Sequence, residues 1–371
     1  MPADRDGVRR FLSRFAGQQL EVALEATTGW RFVVEEVRAI GADAHLAEPA
    51  EASASKGTKK RAKTDRADAR HLRELLMAGR LPESYIAPAH LLDLRARVRL
   101  RHSLVDQRGE WQQRIHAVLY HHGHPQKDGL LRAANREWLE RLALPDAARE
   151  QVTVALAMID ALDAQEAPIT AELRRYARRQ AGCKALMGLY GVGELTAVAI
   201  FAELGDARRF SSSRQAVRYA GLDITVHQSD QRRAPGHLSR QGPPALRWAL
   251  YEAAQAARRP GSPDRAYDDQ AAERLGGNRA CLALARKLLK RSYHVLRARR
   301  PGPATGLTSR RSVRAQPHFT PMHRGPLPHA AAAARERTAS KDRAAATRHP
   351  AGNTPSTITS PTQRTEGRGP R

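Results

Sequence analysis

Between residues 89 and 180 the sequence carries almost no strand signal, and that most restricts what the chain can become. LLDLRARVRLRHSLVDQRGEWQQRIHAVLYHHG places apolar residues three and four apart, the spacing of one helical face. VALAMIDALDAQEAPITAELRRYARR repeats the pattern, with the segment from Gly123 to Pro145 in between. Two such stretches predict a long helical pair. The charges flanking the apolar stripe suit a coiled-coil or dimerising arm over 89–180.

The regions on either side read differently. In residues 1–88, GVRRFLSRFAG has helical spacing, and QLEVALEAT alternates Leu20, Val22 and Leu24 as a strand does. TGWRFVVEEVRAIG reads as a helix stopping at Gly41, and DAHLAEP as a short strand ended by Pro49. KTDRADARHLRELLMAGRLP reads as a helix closed by Gly79 and Pro82. Strand and helix in alternation predict an α/β layer around a sheet. Residues 181–300 form a second globular unit, mostly helical. It has a Gly191-Val192-Gly193 turn, the helix ELTAVAIFAELG, a polar loop from Asp223 to Gly242, and two strong helices, PPALRWALYEAAQAARR and NRACLALARKLLKRSYHVLRARR. Residues 301–371 are Pro, Ser, Thr, Ala and Arg without periodicity, a composition expected to form a disordered basic tail.

Composition narrows the partner. The 371 residues carry a formal net charge of +25, and an excess that large predicts a polyanion, since each phosphate contact releases condensed counterions. A membrane is not expected: the most apolar stretch, 185–204, is interrupted by Glu194, and MPADRDGVRR has no apolar signal region. Cys183 and Cys281 have no metal-ligand or disulfide spacing, which fits a reduced, cytoplasmic protein.

Asp65 and Asp68 sit inside the basic run KKRAKTDRADAR. Three apart on a helix, they share a face, and a cation such as Mg²⁺ would relieve their repulsion while keeping sites for phosphate oxygens. Glu25 closes the strand QLEVALEAT, where ligands of open α/β sheets bind. Lys59, Lys60, Arg61 and Lys63 would hold the phosphodiester. The competing reading makes Asp65 a dipole-favoured helix start and Asp68 the partner of a nearby Arg.

The loop GLDITVHQSDQRRAPGHLSRQG offers a second centre. Ser229 stands among His227, Asp230, Arg232, Arg233 and His237, groups able to bind phosphate and move protons. The competing reading is a Ser-Asp surface turn. Ser239 precedes Pro243 and Pro244 and suits a helix entry or a phosphate contact. Arg232, Arg233, Arg240 and Arg247 form a basic group, beside which Trp248 reads as core. Gly191 and Gly193 resemble a helix-hairpin-helix turn, which either offers amides to a phosphate or simply joins two helices.

ALEATTGW and, some forty positions on, KTDRADARHLRELLMAGRLPESYIAP are similar to the RuvC-like domain of bacterial insertion-sequence transposases of the DEDD type. These are relatives of the Piv DNA invertase, also called bridge-RNA-guided recombinases. The resemblance continues through LRARVRLRHSLVDQRGEWQQRIHAVL, MGLYGVGELTAVAIFAELGDARRFSSSRQAVRYAGL and GHLSRQGPPALRWALYEAA, about residues 6–300 in order. It implies an RNase H-like α/β domain, a helical arm and a mainly α serine domain. It also implies four Mg²⁺-binding acidic residues, the last three matched by Glu25, Asp65 and Asp68. The first belongs to an opening strand that does not precede the first helix, so the domain is expected to lack its first strands. The family's nucleophilic serine lies seven residues after an AGL element, which places the role on Ser229; Asp230 follows where the family has Ser or Gly. The resemblance implies DNA as substrate, a structured guide RNA and a dimer or tetramer. Two rivals share these residues: a RuvC-type junction endonuclease using water, and a catalytically dead nucleic-acid-binding remnant.

Overall fold

Asp4 starts the first helix, α1 (Arg5–Leu12), by accepting the Gly7 amide at 2.7 Å. Strand β1 (Glu21–Glu25) follows, then α2 (Trp30–Ala39) and β2 (Asp43–Ala47). The strands pair in parallel, Glu21 opposite Asp43 through Glu25 opposite Ala47, so α2 is the crossover between them. Val8 and Leu12 of α1 pack with Val37 of α2 and Ala42. Helix α3 (Pro49–Ala54) has Pro49 in its first turn, and α4 (Asp65–Met77) is capped by Thr64, whose Oγ1 accepts the Ala67 amide at 3.2 Å. Leu72 and Leu75 of α4 bury against Ala47 and Ala52, with Ala23 of β1 beside them. In this computed structural model the described residues are 4–56, 64–124, 129–225, 228–229, 232–233 and 236–299. Among them the strand–helix order expected for 1–88 is present, on a sheet of two parallel strands.

The rod consists of α5 (Ala89–His121) and α7 (Asp146–Arg179). Arg97 pairs with Glu172, Arg101 with Glu166 and Arg108 with Asp163, so partner numbers fall as α5 numbers rise and the helices are antiparallel. These ion pairs hold the middle of the rod, where a coiled coil would have an apolar seam. Its far end is apolar: Ile115 and Leu119 meet Val152, Ala155 and Ile159. Leu139 of a further helix, α6 (Ala133–Arg141), closes that cluster together with Leu130. Helix α6 lies in the Gly123–Pro145 segment that separates the two predicted helices.

The near end of the rod enters the main core. Leu91, Leu94 and Val98 of α5 and Leu173 of α7 pack with α8 (Ala181–Met187) and α9 (Glu194–Leu204). Helix α9 is mostly apolar and is buried at Ala197, Val198, Ala199, Ile200, Ala202 and Leu204, as a central helix requires, with Glu203 the one charged side chain buried on it. Around it lie α10 (Ser213–Tyr219), α11 (Pro244–Ala257), α12 (Arg265–Leu275) and α13 (Gly277–Arg297). Ala249, Ala253, Ala254 and Ala257 give α11 a face of small side chains that allows close approach. A hairpin of β3 (Gln228–Ser229) and β4 (Arg232–Arg233) falls between α10 and α11 along the chain. Both cysteines are buried and free. Among the described residues no helix is long and apolar enough to cross a membrane. The basic tail expected over 301–371 lies outside the described residues.

Candidate functional site

Asp65 and Asp68 occupy the first turn of α4, where the helix dipole favours negative charge. Asp65 is exposed, while Asp68 is half-buried and receives the Lys56 ammonium at 2.6 Å. Helix α4 packs on β1, whose last residue is the half-buried Glu25. The three carboxylates therefore stand on elements of one layer that share one small core. Among the described residues, no three His, Cys, Asp or Glu side chains are gathered closely enough to hold a metal ion. The donor chemistry still fits a hard cation, since two carboxylates one helical turn apart suffice when phosphate oxygens complete the shell. Lys56 shows how that charge is balanced in the protein by itself. Lys59, Lys60, Arg61 and Lys63 lie outside the described residues.

The Ser229 hairpin stands on a closely built stem. At its root the Ser239 amide donates to Asp223 O at 3.0 Å, and the Arg240 amide to Gly221 O at 3.2 Å. Further out the Thr225 amide donates to His237 O at 2.9 Å, and Ile224 pairs with Leu238. At the tip Gln228 pairs with Arg233 and Ser229 with Arg232, a register that differs from the root by one residue. Such an offset re-aims the strand that carries it. The Ser239 hydroxyl also donates to the Asp223 carboxylate. His227 and Asp230, which the sequence placed near Ser229, lie outside the described residues.

Two glycines let the stem close. A Cβ on Gly221 would fall 2.2 Å from Gln241 O, and one on Gly242 2.0 Å from Tyr219 O. Both have positive φ, +66° and +123°. Arg240 between them is itself left-handed at φ +54°, unusual for a side-chain-bearing residue, and leaves its guanidinium exposed. Arg247 donates to Gly242 O at 2.7 Å and Ala220 O at 3.3 Å, and Arg286 donates to Leu222 O at 2.5 Å. Burial, then the nearby charge of Arg240, pulls the Arg247 guanidinium below its usual pKa. The root of the stem is thus cationic, with the Arg240 side chain exposed. Sequence reading found Ser239, Arg240 and Arg247 but missed Asp223 and the carbonyl-capping Arg286. The glycines flanking the loop were the available signal.

The Gly191-Val192-Gly193 turn joins α8 to α9. Gly191 is required there, because φ is +86° and a Cβ would lie 2.3 Å from Ala253 O of α11. Gly193 is exposed with open space around it, at the start of α9. Glu194 follows in the first turn and pairs with Arg178 at 2.6 Å and Arg174 at 3.7 Å. The Arg178 hydrogen bond holds the Glu194 carboxyl below its usual pKa. A carboxylate thus already faces the dipole of this helix start. Trp248 is partly buried, packs on the core and meets the His102 ring at a tilt, centroids 4.8 Å apart.

Residues 1–123 match the family model of IS110-type DEDD transposases, described as "Transposase". Residues 183–268 match the family described as "Transposase IS116/IS110/IS902 family". The chain is 34% identical over 120 residues to the transposase for insertion sequence element IS1111A of Coxiella burnetii, covering 31% of this chain and 33% of that protein. It is 30% identical over 98 residues to a "Probable family 20 transposase" of Pseudomonas aeruginosa, covering 26% of this chain and 29% of that one. The chain thus spans about a third of the length of the curated relatives it matches.

Proposed function

We propose, from a chain that belongs over its two matched segments to the IS110/IS116 family of DEDD transposases, that it cuts and rejoins DNA strands as the transposase of an insertion sequence. One observation carries the reading: the two family matches fall on the two candidate centres. The first contains Glu25, Asp65 and Asp68, and the second contains Ser229 and its stem.

Ser229 Oγ attacks the phosphorus of a DNA phosphodiester. A deoxyribose hydroxyl leaves, taking up in net the proton that Oγ gives away, and the strand is held as a phosphoserine ester. Attack by another strand's hydroxyl reverses the step and joins new ends. The stem fixes where the nucleophile stands, and Arg240 with Arg232 and Arg233 holds the phosphate. Asp65, Asp68 and Glu25 would hold Mg²⁺, which when bound offsets the charge developing on the transferred phosphoryl group. Lys59, Lys60, Arg61 and Lys63, with the Gly191–Gly193 turn, hold the nucleic-acid backbone. The +25 charge also suits a structured guide RNA, and the rod suits a homodimer or tetramer.

The test is covalent trapping. Incubation with a labelled element end and Mg²⁺ should give a denaturation-resistant protein–DNA adduct that is absent from Ser229→Ala. Strand cleavage without an adduct would replace this reading with water-using nuclease chemistry. Salt-dependent binding with no cleavage at all would mark a non-catalytic remnant.

A further inference from the structure

Met187, Gly188, Leu189 and Tyr190 lead from α8 into the glycine turn and form one wall of an open pocket of about 540 Å³. Pro263 and Arg291 form the other wall. Tyr190 is 43% exposed, so its ring lines the pocket with a face open to a ligand. Arg291 is held from behind by the fully buried Asp264, whose Oδ2 it meets at 2.5 Å. The same carboxylate takes the Lys287 ammonium on Oδ1 at 3.0 Å. One buried anion thus orients two cations of α13 and leaves a local excess of positive charge. Asp264 is itself fixed, since its amide donates to Ser262 Oγ at 3.1 Å.

We propose that this pocket binds one unpaired nucleotide of single-stranded DNA, the base stacked on Tyr190 and its phosphate on Arg291. An apolar peptide would use the walls but leave the excess charge unmatched, and a free phosphate would use Arg291 but not the ring. A nucleotide uses both, because every base offers a flat face beside an anion. Duplex DNA hides that face by stacking, so the ligand is a strand with an unpaired base. The assignment of DNA rests on the transposase reading, in which cutting and exchange produce such strands; the pocket chemistry does not use Ser229.

Fluorescence anisotropy with the full-length protein tests the proposal on a short single-stranded DNA, its duplex and an RNA of the same sequence. Tyr190→Ala should weaken single-stranded DNA binding roughly five- to 100-fold, the effect of one lost stack, and leave the duplex within about twofold. Tyr190→Trp should retain binding. Arg291→Gln should reduce the log–log salt slope by about 0.7, one strand phosphate. Equal affinity of Tyr190→Ala and the parent, or equal loss on duplex and single strand, overturns the pocket. Sensitivity confined to RNA overturns the assignment to DNA. If Arg291→Gln does not fold, the exposed Tyr190 variants decide alone. Tyr190-dependent binding by a parent protein that forms no adduct on the labelled element end would sink the transposase chemistry while the pocket stands.

Discussion

Gly242→Ala is the sharpest probe of the stem that carries Ser229. The added Cβ would sit 2.0 Å from Tyr219 O and 3.1 Å from Tyr219 C, at φ +123°. The obstacle is backbone at the end of α10, so no rotamer relieves it, and the loop must move away from the helix. That movement breaks the Arg247 bond to Gly242 O at 2.7 Å and the Arg240 amide bond to Gly221 O at 3.2 Å. The backbone conformation alone costs about 1–2 kcal/mol for alanine, and the overlap about 1–3 more. At about 1.4 kcal/mol per tenfold, a total of about 2–5 kcal/mol raises local opening roughly 30-fold or more. Gly261→Ala is the control, because its φ is +82° with nothing within 4 Å of the new carbon, so only the backbone cost of about 1–2 kcal/mol applies. Amide hydrogen exchange reads both. The Thr225, Ser239 and Arg240 amides should exchange at least about 30-fold faster in Gly242→Ala, with those of α9 little changed, and as in the parent in Gly261→Ala. A Gly242→Ala protein whose Ser239 and Arg240 amides keep their protection would refute the reasoning.

Arg95→Ala should cost about 3 kcal/mol, seen as a lower thermal midpoint. Arg95 donates to Ala202 O at 2.8 Å and Glu203 O at 2.9 Å, and its loss leaves the buried Glu203 carboxylate with Arg99; an unchanged midpoint would show that Arg99 suffices. Burial pushes the Cys183 thiol up to about 12, so it should resist alkylation at pH 8 in the native protein and react only after denaturant is added. Burial acts to raise the Asp264 carboxyl, but its bonds to Arg291 and Lys287 outweigh that and hold the pKa below its ordinary value. A depressed folded pKa stabilises above the unfolded value, about 3.9, and the contribution is lost as pH falls through the folded one. Urea midpoints should therefore fall more steeply below about pH 4 in the parent than in Asp264→Asn; parallel curves would refute the assignment.

The elements most legible in the sequence were those set by local periodicity. α5, α7, α9, α11 and α13 each follow apolar spacing, and β1 and β2 follow alternation. α6 was not legible because AANREWLER makes helix only by closing the end of the rod, where Leu139 finds its partners. α12 begins at the buried Asp264, whose cations come from α13, so its anchor is tertiary. At the carboxylates, spacing put Asp65 and Asp68 on one turn, but the ion pair of Asp68 with Lys56 crosses a segment that no helical period describes. At the serine loop, the flanking glycines were visible, while the reason for them, Tyr219 O and Gln241 O, was not.

That difference follows from how each half is held. The carboxylates stand on a small layer with its own apolar clusters, Val8 with Val37 and Leu72 with Ala47. The serine stem stands on the core to which α5 gives Leu91, Leu94 and Val98. Among the described residues, Arg31 of the first layer meets Asp93 of α5 at 3.0 Å in a half-exposed pair, while in the connecting segment Tyr85 lies under Arg209 at 4.3 Å and Ala87 is buried in the serine core. An exposed pair contributes about 0–1 kcal/mol, whereas each leucine that α5 buries in the other core contributes about 1.5–3. Helix α5 is therefore fixed to the serine core, and the Arg31–Asp93 pair that joins it to the carboxylate layer is one that salt weakens.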